Sequence, residues 1–423
     1  MNIAQRLLFL ICLAHTLDKI ESLDKSQMEK IKDEYFKKIS GDIGNIKKDL
    51  DKNLEYLVQD VEPHKFNKNL TDVRIIVLDM GGTYFKIAQI EIDFNEGAIV
   101  DYRVVNTVEI EYPRNEKNIK EKYWHDWAAE KLVSYVKKND ITPDFCSIVF
   151  SYPICYKGDQ VFPCAFTKFF CFEKEESLSH EIMTSINDSI LYLLENKYSG
   201  ANKCLKRGLQ IKSVLNDAVA NYFYSKSKES SNSVAIILGT GTNAAFSFEA
   251  NGNKYVYNSE WGAFVPEMKT LPEEQEILKE MKSSGVTINF LDTIAANGCR
   301  IPLLNRISKK RNLGFRNIDK NNIQEIAKNT NAPEHEYYRI LSIRSKQILV
   351  SLLAAVISIK EQEQWEIILN GSGFNDKEDC DEFIEMTIDF LRYLGIQSDI
   401  TYSTENNLVL IGSAFYTVYK ILH

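Results

Sequence analysis

No CxxC pair occurs among the eight cysteines (residues 12, 146, 155, 164, 171, 204, 299 and 380), and no histidine stands at ligand spacing from them. That argues against a zinc site, and such scattered positions do not read as a disulfide framework. The phosphate loop GxxxxGK followed by Ser or Thr is absent, and the chain's glycine turn leads into a strand, so neither a P-loop nor a Rossmann fingerprint is present. Basic stripes are lacking too: the lysine-rich region 19–54 is interleaved with Asp and Glu and reads as a solvated helical face. With a net charge of -8 and a pI near 5.5, this argues against a nucleic-acid surface. Beyond residue 17 nothing reads as a membrane span. What is present is a chain of 423 residues, 44% hydrophobic and 26% charged, which is globular and long enough for two domains.

The apolar run LLFLICLAHTL (7–17) follows a single Arg and is eleven residues long, too short to cross a bilayer. It reads as a secretory signal peptide over residues 1–16, the alternative being a buried N-terminal helix. Cleavage there removes Cys12 and leaves seven thiols. An odd, scattered set of thiols suits a cytosolic-type fold and conflicts with secretion.

The stretch LDMGGTYFKIAQI (78–90) places an aspartate and two glycines between apolar and alternating runs. VRIIVLDM (73–80) is apolar on both faces, as a buried strand is, and Phe85, Ile87 and Ile90 alternate with polar neighbours. A strand, a tight turn and a strand follow, with Gly81 and Gly82 free to take positive φ and to let a phosphate approach their amides. An echo lies at VAIILGTGTNAAFSF (234–248), where Gly239-Thr240-Gly241-Thr242-Asn243 falls over Asp79-Met80-Gly81-Gly82-Thr83. A third β-like run follows each hairpin (98–110 and 253–258). Later helices (123–138 and 335–358) and another apolar strand (145–151 and 365–371) come after that. This predicts a duplicated unit of three strands, helix, strand, helix, with two glycine hairpins facing across a cleft able to hold a nucleotide's phosphates. Between them LNDAVANYF (215–223) ends a strand and opens a helix. Asp217 there is either the helix N-cap or a cleft carboxylate placed as base for a hydroxyl, and local sequence does not separate the two.

FSYP (150–153), FTKFF (166–170), GTGTN (239–243), NSEWGAF (258–264) and LNGSGF (369–374) occur in an order that resembles the hexokinases of the sugar kinase, actin and Hsp70 superfamily, over residues 71–423. The resemblance implies an α/β, two-lobed, ribonuclease-H-like (actin-like ATPase) fold. It further implies an N-terminal helical part of the large lobe over 19–67, a small lobe over 68–212, a large lobe over 213–411, and a closing helix over 412–423 that returns to the small lobe. The implied activity is transfer of the γ-phosphate of ATP, with Mg²⁺, to the 6-hydroxyl of glucose or a related hexose. Asp217 takes the base role beside Lys168. Ser151, Thr167, Lys168, Asn216, Asn243 and Glu260 look like sugar contacts, with Asp292 as a second carboxylate one place out of register. Thr83 and Thr240 would hold phosphate oxygens and Asp79 would orient Mg²⁺ waters, with no direct metal ligand. Gly81, Gly82, Lys86, Gly239, Gly241, Thr242, Gly371, Ser372 and Gly412 complete the implied nucleotide set.

Departures fall mostly on the nucleotide side: Tyr84 replaces the family's Asn, Lys86 its Arg and Phe169 its Gly. Asn370-Gly371-Ser372 stands for DGS, and the last such motif is blurred into NNLVLI (406–411) before Gly412. A weak or silent hexokinase-like sugar-binding effector is therefore the alternative, and a chaperone-type ATPase has no use for the sugar motifs. Monomer and homodimer both remain open. The Lys-, Asn-, Ile- and Tyr-rich composition with its leader resembles secreted hexokinases of intracellular eukaryotic parasites, which implies export, into a host cytosol, the alternative being a cytoplasmic enzyme. Sequons stand at Asn69, Asn187 and Asn370.

Overall fold

Helix α1 (Lys25–Lys48) buries Met28, Ile31, Tyr35, Ile39, Ile43 and Ile46, which recur every three or four residues as one apolar stripe on a charged helix. The computed structural model describes residues 22–48, 57–60, 71–96, 98–166, 170–198, 203–228, 232–283, 289–319, 322–360, 364–374 and 376–422, so the leader over 1–16 lies outside the described residues. A short strand, β1 (Leu57–Gln59), comes next, and then two units of one plan. The first runs β2 (Asp72–Met80), β3 (Tyr84–Asn95), β4 (Ala98–Glu111), α2 (Trp124–Lys138), β5 (Phe145–Phe150), a side hairpin β6 (Ile154–Lys157) and β7 (Gln160–Pro163), α3 (Ile182–Asn196), β8 (Ile211–Leu215) and α4 (Asp217–Tyr224). The second runs β9 (Ser233–Leu238), β10 (Thr242–Ala250), β11 (Asn253–Asn258), a helical insertion (Pro272–Ser283, Phe290–Ile294, Arg300–Lys310 and Ile323–Lys328), α5 (Pro333–Lys360), β12 (Gln364–Asn370), α6 (Lys377–Tyr393), β13 (Asp399–Ser403) and α7 (Leu408–Ile421).

The sheets have orders β4-β3-β2-β5-β8 and β1-β11-β10-β9-β12-β13. In each, three strands form an antiparallel meander and two more add in parallel, reached by helical crossovers as parallel pairing requires, and β1 extends the second sheet antiparallel to β11. The repeat is therefore one strand and one helix longer than the sequence pattern predicts. β13, reading DITYS, is the strand that pattern misses: its residues alternate between exposed and partly buried up to Ser403, which gives it no apolar run.

Both sheets are covered on both faces. Val73, Ile75 and Val77 of β2 face Ala235, Ala245 and Val256 of the second sheet across a layer made of α4 and α7. Ile76, Leu78 and Met80 face α2 and α3 on the far side, which is why β2 is apolar at successive positions. On the second sheet's outer face α1 packs with α5 and α6. Pro333–Lys360 is, among the described residues, the one helix long and apolar enough to cross a membrane, where the sequence reading noted none; it lies mostly buried in this core, so its apolar surface is already covered. The last helix begins at Leu408, not at residue 412, behind Asn407 in the left-handed region (φ 69°), so Leu408–Ile411 of the NNLVLI segment form its first turn.

Candidate active site

Where the two hairpins face each other the chain encloses a cleft of about 550 Å³. Its walls bring together Asp79, Gly81, Gly82, Thr83, Lys86 and Ser151 from the first unit with Gly239, Thr240, Gly241, Thr242, Asn243, Glu260, Asp292, Gly371 and Ser372 from the second, and Asn216 and Asp217 from the crossing between them. Tyr84, Tyr152, Asn289 and Gln324 line it as well. Thr167 and Lys168 lie outside the described residues, as does Phe169. Gly412 does not line the cleft: it sits in α7, where a Cβ would stand 1.8 Å from the Ala220 carbonyl oxygen of α4. A close helix crossing, not a ligand, accounts for that glycine.

The hairpins meet directly, with the Thr83 and Thr240 hydroxyl oxygens 3.3 Å apart. Behind the first turn, the Tyr112 hydroxyl donates to the Gly81 carbonyl at 2.7 Å and Arg114 Nη2 donates to the Gly82 carbonyl at 3.0 Å. Burial pushes the Tyr112 phenol well above its ordinary pKa, with nearby Tyr152 and Asp79 adding to it, so it stays a donor. Behind the second turn, the Asn297 amide donates to the Gly239 carbonyl at 2.9 Å, and Asn297 Nδ2 donates to Ser372 Oγ at 3.1 Å. Gly371 takes φ +102° with a would-be Cβ 2.5 Å from the Leu238 carbonyl oxygen, so only glycine lets β12 end against the hairpin.

The amide of Asn370 is used inside this wall: its Oδ1 accepts from the Gly371 amide at 2.6 Å and its Nδ2 donates to Asn221 Oδ1 at 3.4 Å. The Asn187 amide likewise holds both backbone groups of Ile211, at 2.7 and 3.1 Å. Lys86 Nζ pairs with Glu109 across the β3–β4 ladder at 2.7 Å, which offsets the charge that the hairpin would otherwise present.

Asn216 and Asp217 divide the two roles that the sequence left open. Asn216 is the N-cap of α4, its Oδ1 accepting the Ala218 amide at 2.9 Å. Asp217 is the first helical residue, in the cleft wall; its Oδ1 also meets the Ala218 amide at 2.9 Å, while its Oδ2 has no protein partner among the described residues. Asn243 Nδ2 lies 2.9 Å from Asn258 Oδ1, 3.2 Å from Glu260 Oε1 and 3.4 Å from Asn216 Oδ1, and Asn258 Nδ2 donates to Glu260 Oε1 at 2.8 Å. Two donors thus hold one oxygen of Glu260, whose backbone is left-handed (φ 43°, ψ 38°). Such a conformation costs a non-glycine residue on the order of 1–3 kcal/mol and persists where neighbours over-determine it.

Trp261, fully buried, donates from Nε1 to Thr242 Oγ1 at 2.9 Å, and that hydroxyl donates to the Ile237 carbonyl at 2.9 Å. The Thr242 amide donates to Asp292 Oδ1 at 2.8 Å. Thr242 and Asp292 therefore brace the second hairpin against the Trp261 turn. Asn258, Asn297, Tyr112 and Arg114 are site residues that the sequence reading does not name; Asn258 stands inside the NSEWGAF motif, while the other three are brought in by tertiary packing.

No protein-family model matches the chain, and no curated protein matches it in sequence. Solved structures match in fold. A hexokinase from Schistosoma mansoni complexed with glucose gives a TM-score of 0.72 at 15% identity, covering 97% of this chain and 99% of that one. A second hexokinase gives 0.67 at 14% identity over 98% and 99%. The chain has the two-lobed, actin-like ATPase fold of those structures, as the order of its motifs implies.

Proposed function

We propose that this chain is an ATP-dependent hexose kinase that phosphorylates the 6-hydroxyl of glucose or a related hexose. The observation that carries the reading is Asp217: a carboxylate with one oxygen unengaged among the described residues, in the wall of a cleft that two facing glycine hairpins also line. Asn243, Asn258 and Glu260 beside it form a fixed fan of donors and acceptors of the kind that adjacent sugar hydroxyls require. A solved protein of the same fold holds glucose.

In this reading Asn216, Asn243 and Glu260 orient the hexose, and Ser151 reaches it from the first unit. Asp217 Oδ2 accepts the proton of the attacking hydroxyl as its oxygen bonds to the γ-phosphorus and the bond from that phosphorus to the bridging oxygen breaks, with ADP as the leaving group. Thr83, Thr240 and the turn amides hold the phosphate chain in line, so that positioning and charge stabilisation do most of the catalysis. The residues present suit MgATP: Asp79 stands at the base of the first hairpin, bonded by Ser151 Oγ at 3.4 Å, where it would hold metal-bound water. The nucleotide supplies the phosphoryl group, and the ion offsets its charge.

The test is a panel of hexoses with ATP and Mg²⁺, run on the wild-type chain and Asp217→Asn. The expected result is hexose-dependent ADP release that falls by about 10²–10⁴-fold in the variant, the usual contribution of a general base. Equal rates in both proteins, or no turnover with any hexose, would sink the proposal. Glucose binding without turnover would favour the silent sugar-binding alternative, toward which the pairing of Lys86 with Glu109 points.

A further inference from the structure

Both carbonyls of the first glycine turn are held from outside the cleft, by two residues of the segment that leaves β4. The Tyr112 hydroxyl takes Gly81 O at 2.7 Å and Arg114 Nη2 takes Gly82 O at 3.0 Å. Tyr112 is itself fixed, packed 5.6 Å from Trp127 and 6.1 Å from Phe172, and the Arg114 guanidinium lies 5.6 Å from the Tyr112 ring centre. The described residues contain no cis peptide bond. In a trans peptide the N–H points opposite to the C=O of the same unit. Holding Gly81 O therefore sets the direction of the Gly82 N–H, and holding Gly82 O sets that of the Thr83 N–H. Gly82 and Thr83 both line the cleft. A donor on each carbonyl, one of them cationic, also polarises the peptide and strengthens the amide on its other side.

The second hairpin carries the same device built from backbone, the Asn297 amide on Gly239 O at 2.9 Å. Lys86 gives the first turn little help in attracting a phosphate, because its ammonium is paired with Glu109.

We propose that Tyr112 and Arg114 are positioning residues that aim the Gly82 and Thr83 amides at the phosphates of the nucleotide. This rests on the phosphotransferase reading of the cleft and names the part that fixes the donor in it. Neither side chain touches the sugar or the reacting atoms; each acts through the turn.

Tyr112→Phe, Arg114→Met and Arg114→Lys in the full chain provide the test, with calorimetric titration of a non-hydrolysable MgATP analogue and, separately, of glucose. Tyr112→Phe and Arg114→Met should each weaken the analogue on the order of tenfold, the loss expected for one strong hydrogen bond. Arg114→Lys should recover part of that loss, and glucose affinity should not change, a split that general loosening of the fold would not produce. Analogue affinity within twofold of wild type in both Tyr112→Phe and Arg114→Met overturns the proposal, as does a parallel fall in glucose affinity. A wild-type chain that binds the analogue but phosphorylates no hexose overturns the kinase reading alone, leaving the amide clamp to stand or fall on the titrations. If the wild-type chain binds no analogue, the clamp has no ligand and the proposal fails.

Discussion

Lys360 stands at the C-terminal end of α5 with its ammonium on Ser247 Oγ, 3.1 Å away, close to a buried charge cluster. At the centre is Asp60, shut off from solvent, whose Oδ2 receives Lys226 at 3.1 Å and the Tyr222 hydroxyl at 3.2 Å, with Lys254 at 3.6 Å. Three ammonium groups thus gather about one buried carboxylate. Lys360 bears the cost: burial, and then repulsion from Lys254, pull its pKa from the usual 10.5 down to about 8. Below pH 8 it is charged in both the folded and unfolded chain, so the fold carries the whole penalty. Between about 8 and 10.5 the folded chain has released a proton that the unfolded chain still binds, so this group's contribution to stability rises with pH. Lys360→Met removes the effect. Urea unfolding across a pH series should show the variant's advantage over wild type at its largest at or below pH 8 and shrinking toward 10.5. A difference that stays flat over that window would rule out a buried, depressed ammonium.

Among the elements, α4 and α7 decide whether two sheets can share one core, since both helices lie between them. Their crossing is set by Gly412, where a Cβ would stand 1.8 Å from Ala220 O and 2.9 Å from Tyr224 N. Both are backbone atoms and cannot rotate aside. Gly412→Ala gains up to about 1 kcal/mol of helix propensity, but overpacking at such a contact costs about 1–3 kcal/mol. The clash should win, and chemical unfolding should show a lower midpoint with an unchanged slope. A raised midpoint would mean that the crossing is loose. The same glycine marks a limit of legibility: the family resemblance implies a nucleotide contact at Gly412 because a sequence does not show which helix lies behind it. The glycine hairpins were legible, because an apolar strand before each and an alternating strand after each leave only a turn between. β13 was not, since an edge strand with exposed residues at alternate positions carries no apolar run. Nor was the start at Leu408, which depends on Asn407 adopting the left-handed region. The Asn216 cap and the Asp217 carboxylate became separable only when the backbone fixed which one opens α4.

Across the whole molecule, the proposed sugar site has walls from both units: Ser151 follows β5 of the first sheet, while Asn243 stands in β10 of the second and Glu260 in the turn that follows β11. A hexose that contacts both gains more from an arrangement in which the sheets approach, and a ligand shifts an equilibrium only by that difference in affinity. A tenfold preference, about 1.4 kcal/mol, is enough to turn an even mixture into one mainly closed. The hairpins make no opposing demand: with the Thr83 and Thr240 hydroxyls 3.3 Å apart, a phosphate oxygen set off the line between them can lie about 2.8 Å from both. Glucose alone is added in the scattering test, so compaction seen in solution reports the sugar. Small-angle scattering with saturating glucose should show a smaller radius of gyration than the apo chain, and the change should be lost in Glu260→Gln, which keeps the side-chain size but removes the charge facing the hydroxyls. If glucose binds by calorimetry and the radius does not fall, the sugar does not bridge Ser151 to Glu260, and the site must lie on one unit only.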